Sequence, residues 1–338
     1  MTATQREKQI HGEGVEVLGR DEDCTIYRLS DDTGDVVMTS YHVFPGIDLI
    51  YNDVHMRSCT IGRAPLGDMI EINHCREGRI ECELRDEFFY LSQGDLAISR
   101  KDDAGHASYF PLSHYHGITI MIDLERTPCC LECFLKDVDV CPSSLADKFC
   151  GGSDCFVMRA RPCMEHIFSE LYSVPDCIRK GYFKVKILEI LLFLSGMESD
   201  KNTLERCCYP AAQVALAKEV CRYLSEHMDC RVTISQLAER FKVSQTLLKD
   251  SFRGVYGVSV YAWIRTQKMR SAALMLLKTD KRILDIAGRH GYDNGSKFAK
   301  AFQDVMGMTP NAYRCSVRAD GIRAAAAEND GGPTPNFL

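Results

Sequence analysis

The sequence predicts an α+β protein: an N-terminal antiparallel β-barrel or jelly roll with following helices, then an all-α part in which two similar helical units are joined by a long helix. Three observations carry that reading. Short β-rich runs fill the chain from about residue 24 to 123, a segment at 234–265 recurs at 283–314, and the charge is divided between two parts of the chain. At 338 residues there is length for two domains, each with its own core. With 45% hydrophobic and 26% charged residues, the composition is that of an ordinary globular protein.

The β-rich part reads as "DVVMTSYHVF", "IDLIYNDVHM", "DMIEINHC", "RIECEL", "FFYL", "DLAISR" and "GITIMID", separated by Gly, Asp and Pro. "SQGDLAIS" predicts a strand, a tight turn and a strand. Many short strands at this spacing suit a small barrel or jelly roll. Helices are expected at 164–174 and 181–197. The second has more apolar residues than one face holds, so it packs on two sides, through a dimer contact or through burial inside one subunit. Polar residues with a late Pro210 predict a linker over 198–210, and the Ala-, Gly- and Pro-rich segment 319–338 predicts a disordered tail. The expected domains are therefore 20–197 and 211–318.

Barrels that use a metal converge about three His or carboxylate ligands. His74, His106, His114 and His116 are available, but "SHYHG" places His114 and His116 on one strand face without an accompanying glutamate. Neither a metal, a cofactor nor a catalytic residue is expected, and the chain does not read as an enzyme. Asn73, Arg100, Tyr109, His114 and His116 are candidates for lining an effector pocket. A barrel enzyme whose turnover depends on His114 and His116 is the competing reading.

Seventeen cysteines in a long chain whose "MTATQREKQIHGEG" start has no apolar run point to reduced thiols. Seven lie between Cys129 and Cys163, and Cys129, Cys130 and Cys133 make a C-C-x-x-C group. No second pair completes four zinc ligands, so packing thiols are favoured over a metal or redox sensor. The most apolar stretch, 187–196, is about half of the roughly 20 residues that span a bilayer. A cytoplasmic setting without a membrane partner is expected.

The net charge of −6 hides a division: 211–318 carries 18 Lys and Arg against 9 Asp and Glu, a net of +9, which leaves −15 on the remainder. A basic module on an acidic chain points to a polyanion partner for that module. Its two copies align with Ala238 and Arg240 on Ala287 and Arg289, 49 residues apart. Phe252, Gly257 and Trp263 align with Phe302, Gly307 and Tyr313, 50 apart. Each copy reads helix, tight turn, helix. Thr233 and Gln236 make a capping box for the first helix, and Ser244 caps the second. In the second copy Gly291 supplies a left-handed turn and Asp293 or Asn294 the cap. Ala238 and Ala287 let the paired helices cross closely.

This is the logic of a helix-turn-helix, whose second helix enters a major groove. Free N–H groups at a helix start suit DNA phosphates, and the first exposed side chains reach base edges. Gln245, Thr246 and Lys249 in one copy, and Ser296, Lys297 and Lys300 in the other, are the candidate base contacts; Gln suits adenine and Lys suits guanine. Ser244, Arg253, Arg265 and Asn294 are candidate phosphate contacts. Segment 259–280 supplies the connecting helix, which would set the two recognition helices about one DNA turn apart, roughly 34 Å. An acidic side chain at Asp250 would accept from cytosine but repel phosphate.

From Ala211 to Ser316, the spacing of these residues and the closing G-M-T-P-N-A-Y-R resemble the AraC/XylS family of transcriptional regulators. The resemblance implies a two-subdomain, seven-helix domain that contacts two adjacent major-groove segments of double-stranded DNA. It further implies a cupin-like N-terminal domain that binds a small-molecule effector, a homodimer, and RNA polymerase as a partner.

Overall fold

The computed structural model describes residues 3–60, 67–84, 87–100, 107–127, 141–151, 155–197, 208–228 and 232–316. Cys129, Cys130, Cys133 and His106 lie outside the described residues, as do most of the expected linker and the C-terminal segment from 317. Two compact units result, the first formed by residues up to 214 together with the short piece 254–257, and the second by the remaining residues from 215 onward.

The first unit opens with helix α1 (Gln5–His11), started by a capping box between Thr4 and Glu7. Strands β1 (Glu16–Arg20), β2 (Cys24–Asp31), β3 (Gly34–Phe44), β4 (Ile47–His55), β5 (Ser58–Thr60), β6 (Met69–Gly78) and β7 (Ile80–Leu84) follow. Next come β8 (Glu87–Leu91), β9 (Leu96–Arg100), β10 (Ala107–Tyr109) and β11 (Tyr115–Asp123). β12 (Cys155–Met158) and β13 (Tyr209–Pro210) join later. They form two antiparallel sheets, β1-β2-β3-β4-β11-β6-β9-β12 and β13-β8-β7-β10-β5.

Period-2 alternation gives the large sheet two different faces. Ile118, Ile120 and Ile122 of β11 stand opposite Tyr51, Leu49 and Ile47 of β4. With Ile70 and Ile72 they pack under helices α2 (Pro142–Cys150), α3 (Pro162–Leu171) and α4 (Arg179–Gly196). The other face places Ile50, Val54, Met69, Cys75 and Tyr115 in one core with Cys59, Phe89 and Leu91 of the small sheet. The N-terminal domain is thus a pair of sheets with helices on one outer face.

The "SQGDLAIS" turn exists, but β8 belongs to the small sheet and β9 to the large one, so the turn carries the chain between sheets. Asp95 pins it: its carboxylate accepts from the Ser92 and Ala160 amides and from Arg159 at 2.9, 3.0 and 2.5 Å. α4 buries Phe183, Ile187, Ile190, Leu191 and Leu194 on one side, whereas Val185 and Leu192 are exposed on the other. α2 and the fully buried β12 arise from the cysteine-rich stretch, where apolar period is hard to read. The residues grouped as a pocket do not all converge, although the His114 and His116 rings lie 4.5 Å apart. Asn73 takes the Thr119 hydroxyl on the intersheet face, Arg100 pairs with Asp68 and Asp147, and His116 stands on the opposite face. A one-residue difference in parity on paired strands is enough to separate them.

Gly78 is required at the β6–β11 edge. Its φ is 86°, and an added Cβ would lie 2.1 Å from the His114 carbonyl oxygen. Gly78→Ala combines left-handed strain with backbone overpacking and is expected to destabilise the first unit by about 2 kcal/mol. Denaturant unfolding of the full chain checks this.

The second unit is all helical. Ala217, Val220 and Leu224 form its buried stripe on α5 (Ala211–Glu226), whose first turn to Val214 belongs to the first unit. α6 (Ile234–Arg240) and α7 (Gln245–Tyr256) make the first pair, and α8 (Val260–Lys278) connects it to α9 (Ile283–Arg289) and α10 (Gly295–Met306). A last helix covers 310–316. α8 buries Val260, Trp263, Met269, Ala272, Ala273 and Leu276, while Leu277 is exposed.

Candidate nucleic-acid interface

The duplication extends to atoms. α6 and α9 are each seven residues long, and α7 and α10 are each twelve. In the turns, the Val243 amide donates to Ala238 O and the Tyr292 amide to Ala287 O, both at 3.0 Å. Phe252 meets Trp263 edge-on at 6.1 Å, and Phe302 meets Tyr313 edge-on at 5.5 Å. The left-handed turn residue is Gly291 at φ 78° in the second copy and Lys242 at φ 53° in the first. A side chain there carries strain that glycine avoids. Gly291→Ala is expected to cost about 1 kcal/mol of second-unit stability, read by thermal unfolding.

Capping fixes where each second helix begins. The Thr233–Gln236 capping box starts α6. Ser244 Oγ accepts from the Leu247 amide at 3.1 Å and so starts α7. In the second copy the cap is Asn294, not Asp293: its Oδ1 accepts from the Ser296 and Lys297 amides at 2.8 and 3.2 Å. Each cap leaves the remaining first-turn N–H groups directed out of the helix end, where an anion is stabilised.

Behind these ends the helices are anchored by apolar side chains. Leu248 and Phe252 are buried on α7, and Phe298, Ala301 and Phe302 on α10, where the last three share a core with Met269, Ala272, Ile286 and Ala287. The opposite faces are exposed. Gln245, Thr246, Lys249 and Arg253 are exposed on α7, and Ser296, Lys297 and Lys300 on α10. The i, i+4 spacing of Gln245, Lys249 and Arg253 puts them on one stripe. Ser244 and Asn294, also exposed, sit at the helix starts with their side-chain oxygens committed to capping. Gln245 Nε2 donates to Ser235 Oγ at 3.1 Å. Arg265 is half-buried on α8 and forms an ion pair with Asp304 of α10, so its guanidinium braces the connecting helix against the second copy.

The shared geometry exposes a difference between copies. With an offset of 50 residues, Leu247 and Asp250 on α7 occupy the places of Lys297 and Lys300 on α10. Both are exposed. One helix therefore offers a basic tip and the other a mixed polar, apolar and acidic one. Leu247 is absent from the contacts expected from sequence, because a leucine in a helical run reads as core. The repeat offset itself carried the signal.

Capped tandem helix pairs with exposed polar helix starts define a tandem helix-turn-helix fold, the class of DNA-binding domains. Residues 237–316 match the family described as helix-turn-helix domain. This C-terminal part of the chain is an AraC-type helix-turn-helix domain. The chain is 32% identical over 111 residues to an uncharacterized HTH-type transcriptional regulator of Staphylococcus aureus, covering 33% of this chain and 14% of that one. It is 27% identical over 144 residues to the regulatory protein PocR of Salmonella typhimurium, covering 43% of this chain and 45% of PocR. Among solved structures it is similar to the C-terminal domain of AraT, a response regulator from Geobacillus stearothermophilus. There the identity is 31%, the coverage 30% of this chain and 84% of that domain, and the TM-score 0.29. The chain thus spans about 14% of the length of the first of these relatives and under half of the second.

Proposed function

We propose that the protein is a sequence-specific DNA-binding transcriptional regulator whose N-terminal domain binds a small-molecule effector. The observation that carries this reading is the pair of capped, outward-facing helix starts with matching turns and cores. On DNA, Gln245, Thr246, Lys249, Ser296, Lys297 and Lys300 read base edges, while Ser244, Arg253 and Asn294 contact phosphate. Arg265 reaches phosphate by exchanging its Asp304 partner for the backbone. Leu247 suits a thymine methyl group. RNA polymerase is the further macromolecular partner, and homodimerisation uses the exposed side of α4 that carries Val185 and Leu192. The proposed regulator acts in the cytoplasm, and no described helix is long and apolar enough to cross a membrane. The function requires binding only, without catalysis.

Support for an effector comes from the intersheet face of the large sheet. Asn52 Nδ2 donates to Thr119 Oγ1 at 2.8 Å, and Thr119 Oγ1 donates to Asn73 Oδ1 at 2.6 Å. Ser40 and Ser99 lie on the same face by register. All five are half-exposed although they share a face with the intersheet core, so apolar packing does not close over them. A row of donors and acceptors beside apolar walls suits a small polar or amphipathic molecule.

The test is selection of genomic DNA fragments by the full-length protein at a stated salt concentration. Enrichment of sites with two short motifs one helical turn apart is expected, with an affinity that falls steeply with salt. Binding without sequence preference across a salt series would reject sequence-specific regulation.

A further inference from the structure

A second chemical site lies on the first unit. Along the helix-covered face of the large sheet, Tyr51, Ile118 and His74 share one cross-strand row. There His74 stacks on Phe168 of α3, and Tyr51 touches Phe183 of α4. One period-2 step outward on that face Asp53 of β4 stands opposite His116 of β11, and a register shift between His116 and Gly117 brings Glu77 of β6 opposite His116 on its other side. The exposure of these three side chains rises to 51%, 30% and 67%, so the helical cover thins at this row. One further step along β4 is His55, which comes beside His114 just before β11.

These strands bring three imidazoles together. Ring centroids are 5.6 Å apart for His55 and His114, 5.4 Å for His55 and His116, and 4.5 Å for His114 and His116. One ring nitrogen from each lies within 4.8 Å of the others. Carboxylates back all three: Asp53 lies 2.9 Å from His55 Nε2 and 3.4 Å from His116 Nδ1, and Glu77 lies 3.1 Å from His114 Nε2. An imidazole that donates one N–H to a carboxylate offers its other nitrogen as a lone pair, the arrangement found behind metal-ligating histidines. The Gly78 backbone, close against the His114 carbonyl, holds that residue at the edge of the cluster.

We propose that His55, His114 and His116 form a binding site for a divalent first-row transition metal of the zinc kind. Three nitrogen donors suit zinc, nickel, cobalt or copper rather than magnesium or calcium, which take oxygen ligands. Ligand nitrogens of a tetrahedral site, each about 2.0–2.1 Å from the metal, stand closer together than the present cluster. The side chains of His55, His114 and His116, 55%, 25% and 30% exposed, have room to turn inward by that amount. Asp53 and Glu77 then orient the rings, or one of them takes the fourth position. The sequence shows only His114-x-His116. His55 comes from another strand, 59 residues earlier, and the carboxylates come from two strands, so no spacing rule discloses the set.

The test uses the full-length protein, reduced and stripped with chelator, then titrated with Co2+ and back-titrated with Zn2+. One Co2+ per chain is expected, with visible d–d absorption that Zn2+ abolishes and that is free of a thiolate charge-transfer band. His55→Gln, His114→Gln and His116→Gln are each expected to weaken this binding at least about 10-fold, with the far-UV circular dichroism unchanged. Asp53→Asn, at an exposed carboxylate, is expected to weaken it about 10-fold without removing a ring. Cobalt bound only with thiolate absorption, binding that persists in the three histidine variants, or no binding in the folded wild-type chain would each overturn the proposal.

Discussion

Replacing Lys297 and Lys300 together by alanine is expected to lower affinity for the selected DNA site by about 2–6 kcal/mol, at about 1–3 kcal/mol for each lost base contact. The effect falls on binding rather than stability. Both lysines are exposed on α10, whereas the position of the helix depends on Phe298, Ala301 and Phe302 beneath it. The same variant should relax base preference in one half of the site and leave the half read by α7 unchanged. Titration against both the selected site and a scrambled duplex, across a salt series, separates two mechanisms. Base reading predicts a loss concentrated on the selected site. Phosphate contact alone predicts an equal loss on both duplexes and a salt slope reduced by about one per lysine. Unchanged affinity and preference would remove α10 from the groove.

His74 should make the stability of the first unit depend on mildly acidic pH. Its ring is buried, stacks on Phe168 at 4.1 Å between centroids, and has a hydrogen-bond partner at neither nitrogen among the described residues. Burial pushes its pKa down from 6.5 to about 4. The folded state therefore binds fewer protons than the unfolded state between these values. His74's neutral form supports full stability above about pH 6.5; stability then falls with pH through the window, and the loss levels off below about pH 4. A shift of this size corresponds to about 3 kcal/mol. His74→Phe retains the stacked ring and removes the titration. Denaturant unfolding from pH 7.5 to 4 should show a slope in the wild type that flattens in the variant, with the variant the more stable at pH 5. Equal slopes in the two proteins would place the pH dependence elsewhere.

The helical unit was readable because its determinants are local. Thr233 and Gln236 specify a capping box by spacing alone, Gly291 and Gly307 mark left-handed positions, and the Phe298–Phe302 stripe marks the buried face. Repetition of these features at a near-constant interval added what one copy lacks. Even there, sequence left two side chains open: Asn294 rather than Asp293 caps α10, and Arg265 meets Asp304. Such choices depend on turn geometry and helix crossing, which local pattern does not fix.

The β-rich unit was readable only as strands. "SQGDLAIS" specified a turn, yet whether β8 and β9 pair with each other depends on partners distant in sequence, and here they join different sheets. His114 and His116 stood out in the sequence while His55 did not, because strand register across β4, β11 and β6 assembles that cluster. By itself the sequence determined the two-part α+β architecture, the duplicated helix pairs and the basic tip of the second pair, since each follows from periodicity, capping and charge within a few turns of chain. Tertiary structure alone decided which sheet each strand joined, which imidazoles met, and that His74 lies buried without a hydrogen-bond partner among the described residues. Those outcomes are set by long-range pairing, where a shift of one residue sends a side chain to the opposite face.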